Sequence, residues 1–246
     1  MRALSVLAAT AFLFAPALDA RAEMTAEPVE VVELFTSQGC SSCPPADELI
    51  GEMANTPGLL VLSLHVDYWD YLGWKDTFSS ADYTLRQQGY ARTRGDGYVA
   101  TPQVVINGQA AAIGHDAAAI DAALTETDPD GDVTIALAQR GETVEVTIDN
   151  PNLLPSLGGG TLWLASYSPQ EEVEIERGEN RGLMATYTHV VKKLVPVAEW
   201  DGGDMTVDVP LEMFTAKDQR CALILQRGDV QNPADVIAAV AIKGDY

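Results

Sequence analysis

Cys40 and Cys43 are the residues best suited to chemistry in this 246-residue chain. They frame Ser41-Ser42 between an apolar run, Val29 to Phe35, and a helix predicted from Ala46. A C-x-x-C at a helix start can close a small disulfide ring, and the free N–H groups and dipole of the helix favour thiolate over thiol. That pattern points to thiol–disulfide exchange. Zinc competes for the same residues, but it takes four ligands, and the remaining cysteine and histidines, Cys221, His65, His115 and His189, are scattered singly. Redox chemistry is therefore preferred, with no metal and no cofactor expected. Two alternatives stay open: a structural disulfide without turnover on a binding or assembly protein, and copper held by Cys40, Cys43 and a histidine.

The surroundings of the pair supply further candidates. Ser41-Ser42 offers no cation to acidify a thiol, and Pro44-Pro45 is tolerable only near a helix start, where missing N–H groups cost least. Glu33 interrupts an apolar strand and shares the face of Val29, Val31 and Phe35. It is a candidate proton carrier for Cys43, or a Glu at a strand edge. His65 and Asp67 alternate onto one face, followed by Tyr68, Trp69, Tyr71 and Trp74, a candidate aromatic lip or a packed insertion.

The elements that must position these residues follow from periodicity. Val29 to Phe35 reads as a strand, Ala46 to Ala54 as a helix, Leu59 to Val66 as a buried strand and Ser79 to Arg92 as a helix with Tyr83, Leu85 and Tyr90 on related faces. Gln103 to Ile106 and Ala110 to Ile113 flank Asn107-Gly108, a two-residue hairpin signal. Asp116 caps an Ala-rich helix through Leu124. The order is strand, helix, strand, helix, strand, strand, helix, an α/β layer pattern.

That order, the C-x-x-C at a strand-to-helix junction and Thr101-Pro102 before a strand resemble the thioredoxin-like superfamily. The longer signature from Val31 to Asp47, with the segments His65 to Asp76 and Thr101-Pro102-Gln103, resembles the DUF1223 family of secreted thioredoxin-like proteins of unknown function. The resemblance implies that Cys40 attacks from the exposed end and Cys43 resolves. It also implies that Pro102 is cis and faces the disulfide, so that Thr101 and Pro102 shape a substrate groove with Tyr68 and Trp69 beside it.

Arg2, the apolar stretch Ala3 to Leu18 and the small-x-small Ala20-Arg21-Ala22 read as a signal peptide cleaved after Ala22. The stretch is short for a spanning helix, so no membrane insertion is expected after cleavage. Residues 1–22 hold Arg2, Arg21 and Asp19; their loss turns the net charge of −21 into −22, which disfavours nucleic acid. A secreted protein, in a bacterial periplasm, meets exported protein or peptide thiols and disulfides and requires a redox partner.

Residues 23–127 form the expected thioredoxin-like domain, and the acidic, turn-rich Thr127 to Asp132 a linker; it lacks the glycine spacing and closing Glu of a calcium loop. Residues 128–246 alternate as short strands, a mostly antiparallel β-sandwich-like domain: Val133 to Leu137, Thr143 to Ile148, Thr161 to Tyr167, Glu172 to Glu176, Thr186 to Val195, Met205 to Val209, Ala222 to Gln226 and Val236 to Ile242. Arg177 to Gly182 reads as a polar hairpin loop, and Cys221 as a small buried hydrophobe.

Overall fold

The computed structural model describes residues 21–127, 129, 132–151 and 158–243; residues 1–20 of the expected leader 1–22 and parts of the expected linker lie outside them, while its last two residues, Arg21 and Ala22, fall within a strand. Local pattern accounts for the first half. Strand β3 (Glu30–Thr36) runs parallel to β4 (Leu59–His65) and antiparallel to β5 (Gln103–Ile106), which pairs with β6 (Ala110–Ile113). The β5–β6 turn uses Asn107 and Gly108 at φ 47° and 69°, the left-handed conformation that suits those residues.

Helix α1 (Pro44–Met53) starts at a pair of prolines, whose fixed φ suits a first turn. Ser80 caps α2 (Ala81–Arg94) by accepting from Asp82 N, and Asp116 caps α3 (Ala117–Glu126) by accepting from Ala119 N. Along β3, Val32 and Leu34 pack with Ala46 and Ile50 of α1 and Ile120 of α3. Val31 and Phe35 face the other way, toward Tyr83 and Tyr90 of α2. Leu85, expected on that face of α2, is exposed instead.

The second half departs from a free-standing sandwich. Two short N-terminal strands, β1 (Arg21–Glu23) and β2 (Ala26–Pro28), pair with C-terminal strands rather than with β3. Strands β7 (Thr134–Arg140), β8 (Thr143–Asp149) and β11 (Met205–Pro210) join β1 in a four-stranded sheet. The others, β9 (Gly160–Glu174), β10 (Met184–Trp200), β12 (Arg220–Gly228) and β13 (Pro233–Ile242), extend the first-half strands into one nine-stranded sheet, ordered β2-β13-β12-β9-β10-β4-β3-β5-β6. The segments expected as separate strands at Thr161 to Tyr167 and Glu172 to Glu176 are largely one strand, β9. The small sheet covers the far half of the large one, where Val144, Val146 and Ile148 pack against Leu162, Leu164, Leu223 and Leu225. The expected boundary after Thr127 falls between α3 and β7, and the large sheet runs across it.

The junction between β4 and β10 is short, with one parallel pair, Val190 and Ser63. Side chains complete it. Ser63 Oγ donates to Thr188 O at 2.7 Å, Tyr83 Oη to Val191 O at 3.1 Å, and His189 Nδ1 lies 3.0 Å from Val61 O. His189 reaches that carbonyl from a position in β10 at φ 51°, an unfavourable backbone for a residue with a Cβ. Burial lowers its pKa below the usual 6.5 despite the bond to Val61, and Arg220 adds to the lowering. The folded protein thus binds the proton more weakly than the unfolded chain, so the stability His189 contributes is present above about pH 6.5 and is lost as pH falls from there. Thermal unfolding of the parent between pH 8 and pH 5 should show a larger acid-induced loss than that of His189→Asn; parallel curves would remove this role.

Candidate redox site

After β3 the chain turns sharply: Cys40 N donates to Ser37 O at 3.1 Å and Cys43 N to Cys40 O at 3.2 Å. Gly39 lets the turn approach Trp69 closely, since a Cβ would stand 3.1 Å from Trp69 Cβ, tighter than an ordinary contact. Cys40 and Cys43 lie at disulfide distance with Cα atoms 5.4 Å apart, and Cys43 is the residue that precedes α1. The Thr101–Pro102 bond is cis. Cys40 Sγ faces Thr101 O at 3.7 Å and Ser42 Oγ at 3.4 Å, which brings the disulfide and the proline segment together. Gly114 permits this packing, since a Cβ there would meet Pro102 Cβ at 2.8 Å and Ala46 Cβ at 2.9 Å.

Tyr68 and Trp69 serve as walls rather than an open lip. Trp69 Nε1 donates to Thr101 Oγ1 at 2.7 Å, while Tyr68 Oη donates to Gln87, whose amide in turn holds Ala100 O and Gln103. The exposed aromatics near these segments are Tyr71 and Tyr98. Cys40, expected at the exposed end, is 1% exposed, against 0% for Cys43. Trp69 spans from Gly39 to Thr101 on the two sides of Cys40, and a hairpin from the second half covers its backbone.

Glu33 faces α2, on the side of the sheet away from α1, and its role differs from the expected proton carrier. Its carboxylate accepts from Arg86 Nε at 2.6 Å, Arg86 Nη2 at 3.1 Å and Tyr90 Oη. Arg86 Nη2 also donates to Gln226 Oε1 at 2.9 Å, and the guanidinium lies 5.1 Å from the ring centres of both Tyr90 and Trp163. The strand alternation that put Glu33 with Val31 and Phe35 holds; the partner of the carboxyl is a cation 53 residues away.

The buried acid on the α1 side is Asp47, one helical turn after Cys43. Burial raises its pKa to about 7, although His65 and a 2.8 Å hydrogen bond from Thr36 Oγ1 pull it down; Asp76 pushes it up. His65 Nδ1 pairs with Asp76 Oδ2 at 2.7 Å, and that oxygen also accepts from Gln38 N at 2.8 Å. Burial pushes the Asp76 pKa up, but His65 and the backbone N–H groups of Gln38 and Phe78 outweigh it and leave the pKa lowered. His65 Nε2 is buried with no hydrogen-bond partner among the described residues. Helical periodicity could have found Asp47, which shares the buried stripe of Ala46 and Ile50.

Gln38 fastens the turn to the 67–80 segment: its Oε1 accepts from Trp74 Nε1 at 2.8 Å and its Nε2 donates to Thr77 Oγ1 at 2.9 Å. Asn180, at the tip of the β9–β10 hairpin, donates from Nδ2 to Gln38 O at 2.9 Å and Cys40 O at 2.8 Å. The sequence shows that hairpin loop but carries no local sign of its destination. Among the described residues no group of three or more His, Cys, Asp or Glu could hold a metal ion, and no helix is long and apolar enough to cross a membrane.

Residues 31–226 match the family described as a protein of unknown function, DUF1223. The chain belongs to that family. It is similar, at 35% identity and a TM-score of 0.75, to the crystal structure of protein AGR_C_4864 from Agrobacterium tumefaciens, with 89% of this chain and 97% of that one covered. A second structure, HBP35 of Porphyromonas gingivalis, shares 13% identity with a TM-score of 0.53 over 89% of this chain and 74% of that one, a likeness of fold alone. No match was found among curated proteins.

The family has no assigned activity, so the role of each site residue rests on its contacts here. Glu33→Gln should destabilise the fold by about 3–5 kcal/mol, because it leaves the Arg86 charge buried without its counter-ion. Denaturant unfolding measures this. A double variant, Glu33→Gln with Arg86→Met, should recover part of the loss.

Proposed function

We propose that the first half of this DUF1223 protein is a thioredoxin-like unit and that the protein catalyses thiol–disulfide exchange on exported polypeptides. The observation that carries the reading is the Cys40–Cys43 pair set beside cis-Pro102, with Asp47 buried one turn behind Cys43. The leader pattern of residues 1–22 supports a reaction in the periplasm.

In the oxidising direction a substrate thiolate attacks Cys40 Sγ; the Cys40–Cys43 bond breaks and Cys43 leaves as thiolate. A second substrate thiolate then attacks the substrate sulfur of the mixed disulfide, and Cys40 leaves. Two electrons pass from the substrate dithiol to the protein, which ends as a dithiol. In the reducing direction Cys40 attacks a substrate disulfide and Cys43 resolves the adduct. Either way Cys43 gains or loses a proton in a buried setting, and Asp47 is the acid on its side of the sheet with a pKa near neutrality, about 7.

A structural disulfide on a binding protein is the second reading. The burial of Cys40 favours it, since a thiol must reach a sulfur on a residue that is only 1% exposed. The two readings separate on trapping. Cys43→Ser should accumulate a thiol-sensitive adduct through Cys40 in periplasmic extracts, and Cys40→Ser should not. Non-reducing gels read this directly; absence of adducts from both variants, with no acceleration of a model disulfide exchange by the parent, supports the binding protein.

Asp47→Asn tests the proton carrier. Asn keeps an acceptor for Thr36 but cannot take a proton, so resolution of a mixed disulfide should slow and lose its dependence on pH near 7. The raised pKa also has a stability consequence. The folded state binds this proton more tightly than the unfolded chain, so stability is lost as pH rises from about 4 through about 7. Asn avoids burying the charge and should be more stable than the parent at pH 8, the difference shrinking toward pH 4. Denaturant melts at the two pH values, beside stopped-flow resolution rates, provide the measurement.

A further inference from the structure

We propose that Asn180, contributed by the second half of the chain, is a positioning residue that sets the acidity and reactivity of Cys40. Its effect on exchange rate rests on the thiol–disulfide reading above; its effect on Cys40 acidity does not.

The turn that carries Cys40 is poor in donors. Pro44 and Pro45 occupy the first two positions of α1 and bring no N–H, and Cys43 N is already bound to Cys40 O at 3.2 Å. Opposite Cys40 Sγ, at 3.7 Å, stands the carbonyl oxygen of Thr101, the negative end of a dipole, with the Ser42 hydroxyl at 3.4 Å as the nearby donor. The carbonyls of Gln38 and Cys40 converge on one side of the turn. Two carbonyl oxygens aimed at a common point repel each other, and their negative ends disfavour a thiolate on the same residue.

Asn180 Nδ2 stands at that point. Its two hydrogens go to Gln38 O at 2.9 Å and Cys40 O at 2.8 Å, so one side chain cancels both negative ends and holds the turn shut. Its own position is well supported. Ile175 N donates to Leu183 O at 2.9 Å and Gly182 N to Ile175 O at 2.7 Å, closing the base of the hairpin loop, and Leu183 N donates to Asn180 O at 3.1 Å. Gly178, at φ 81°, lets the loop seat against Trp74, since a Cβ would stand 3.2 Å from Trp74 Cβ. Trp74 is the residue that donates to Gln38 Oε1 from the other side. The turn is thus gripped by two segments, of which only the hairpin reaches the Cys40 carbonyl.

The test compares Asn180 variants on a Cys43→Ser background, where Cys40 titrates alone; the Cys221 thiol, pushed up to about 11 by burial, stays silent. Asn180→Ala should lower the acid dissociation constant of Cys40 about tenfold, the scale of the net loss of one to two hydrogen bonds. Asn180→Asp, which keeps the shape but sets negative charge against the two carbonyls, should lower it further. Thiolate absorbance and the pH profile of iodoacetamide alkylation read the acidity, and circular dichroism confirms folding; should Asn180→Ala fail to fold, Asn180→Asp carries the comparison. An acidity unchanged within about twofold in folded variants would overturn the proposal, reducing Asn180 to a tie for the hairpin. Faster alkylation at every pH would overturn it as well, by showing that the hairpin only covers the thiol. Oxidised glutathione separates the other failure: a Cys40 that alkylates normally in the Cys43→Ser parent but never forms a mixed disulfide refutes the exchange reading, while the acidity comparison still decides the role of Asn180.

Discussion

A guanidinium removed from water needs a counter-ion and acceptors, and in this protein Arg86 obtains them for Nε and Nη2 from both halves of the chain, while Nη1 is buried with no hydrogen-bond partner among the described residues. Glu33 comes from β3, Tyr90 from the same helix and Gln226 from β12. Gln226 is itself held, donating to Tyr90 Oη and to Ala234 O, both at 2.7 Å. Removing the pairing would leave a buried charge, which is far more costly than the pair is stabilising. The helix α2, the central strand β3 and the distal strands β12 and β13 are therefore committed to one arrangement. Trp163 of β9 completes the enclosure, with its ring 5.1 Å from the guanidinium carbon.

With that arrangement fixed, the long hairpin becomes a lever arm. Strand β9 has 15 residues and would span roughly 50 Å if fully extended, enough to leave the distal core and emerge beside the disulfide. Its outer end carries Asn180. The same strand pair contributes Tyr187, whose ring packs edge-on against His65 at 4.7 Å, so the second half furnishes part of the wall around the His65–Asp76 pair. The disulfide site is built by residues from both sides of the expected linker.

What the sequence made legible was local. The Asn107-Gly108 turn, the Asp116 cap, the alternation in β3 and the C-x-x-C with its two prolines each declare themselves within a few residues. Non-local pairing was not legible. Nothing near Glu33 indicates a partner 53 residues on, and nothing near Asn180 indicates an acceptor 140 residues back. In the sequence the strand at Thr161 to Tyr167 looks separate from Glu172 to Glu176, because the later residues of β9 alternate with glutamates at the solvent, a pattern that resembles a short strand of its own. Asp47 is legible from helical spacing alone, on the buried stripe of Ala46 and Ile50, whereas Glu33 stands out only because it interrupts an apolar strand.

The pairing of β1 and β2 links the two ends of the chain. β1 pairs with β7, and β2 with β13, whose residues run from Pro233 to Ile242. A ribosome delivers residues in order, so Cys40 and Cys43 emerge long before Asn180 and before the strand that closes the sheet edge. Until then Cys40 and Cys43 belong to an unfinished chain that lacks the Asn180 hydrogen bond to the Cys40 carbonyl. The Asn180 contact that closes this turn arrives only with the last third of the polypeptide, which makes the geometry of the site a matter of timing as well as of packing.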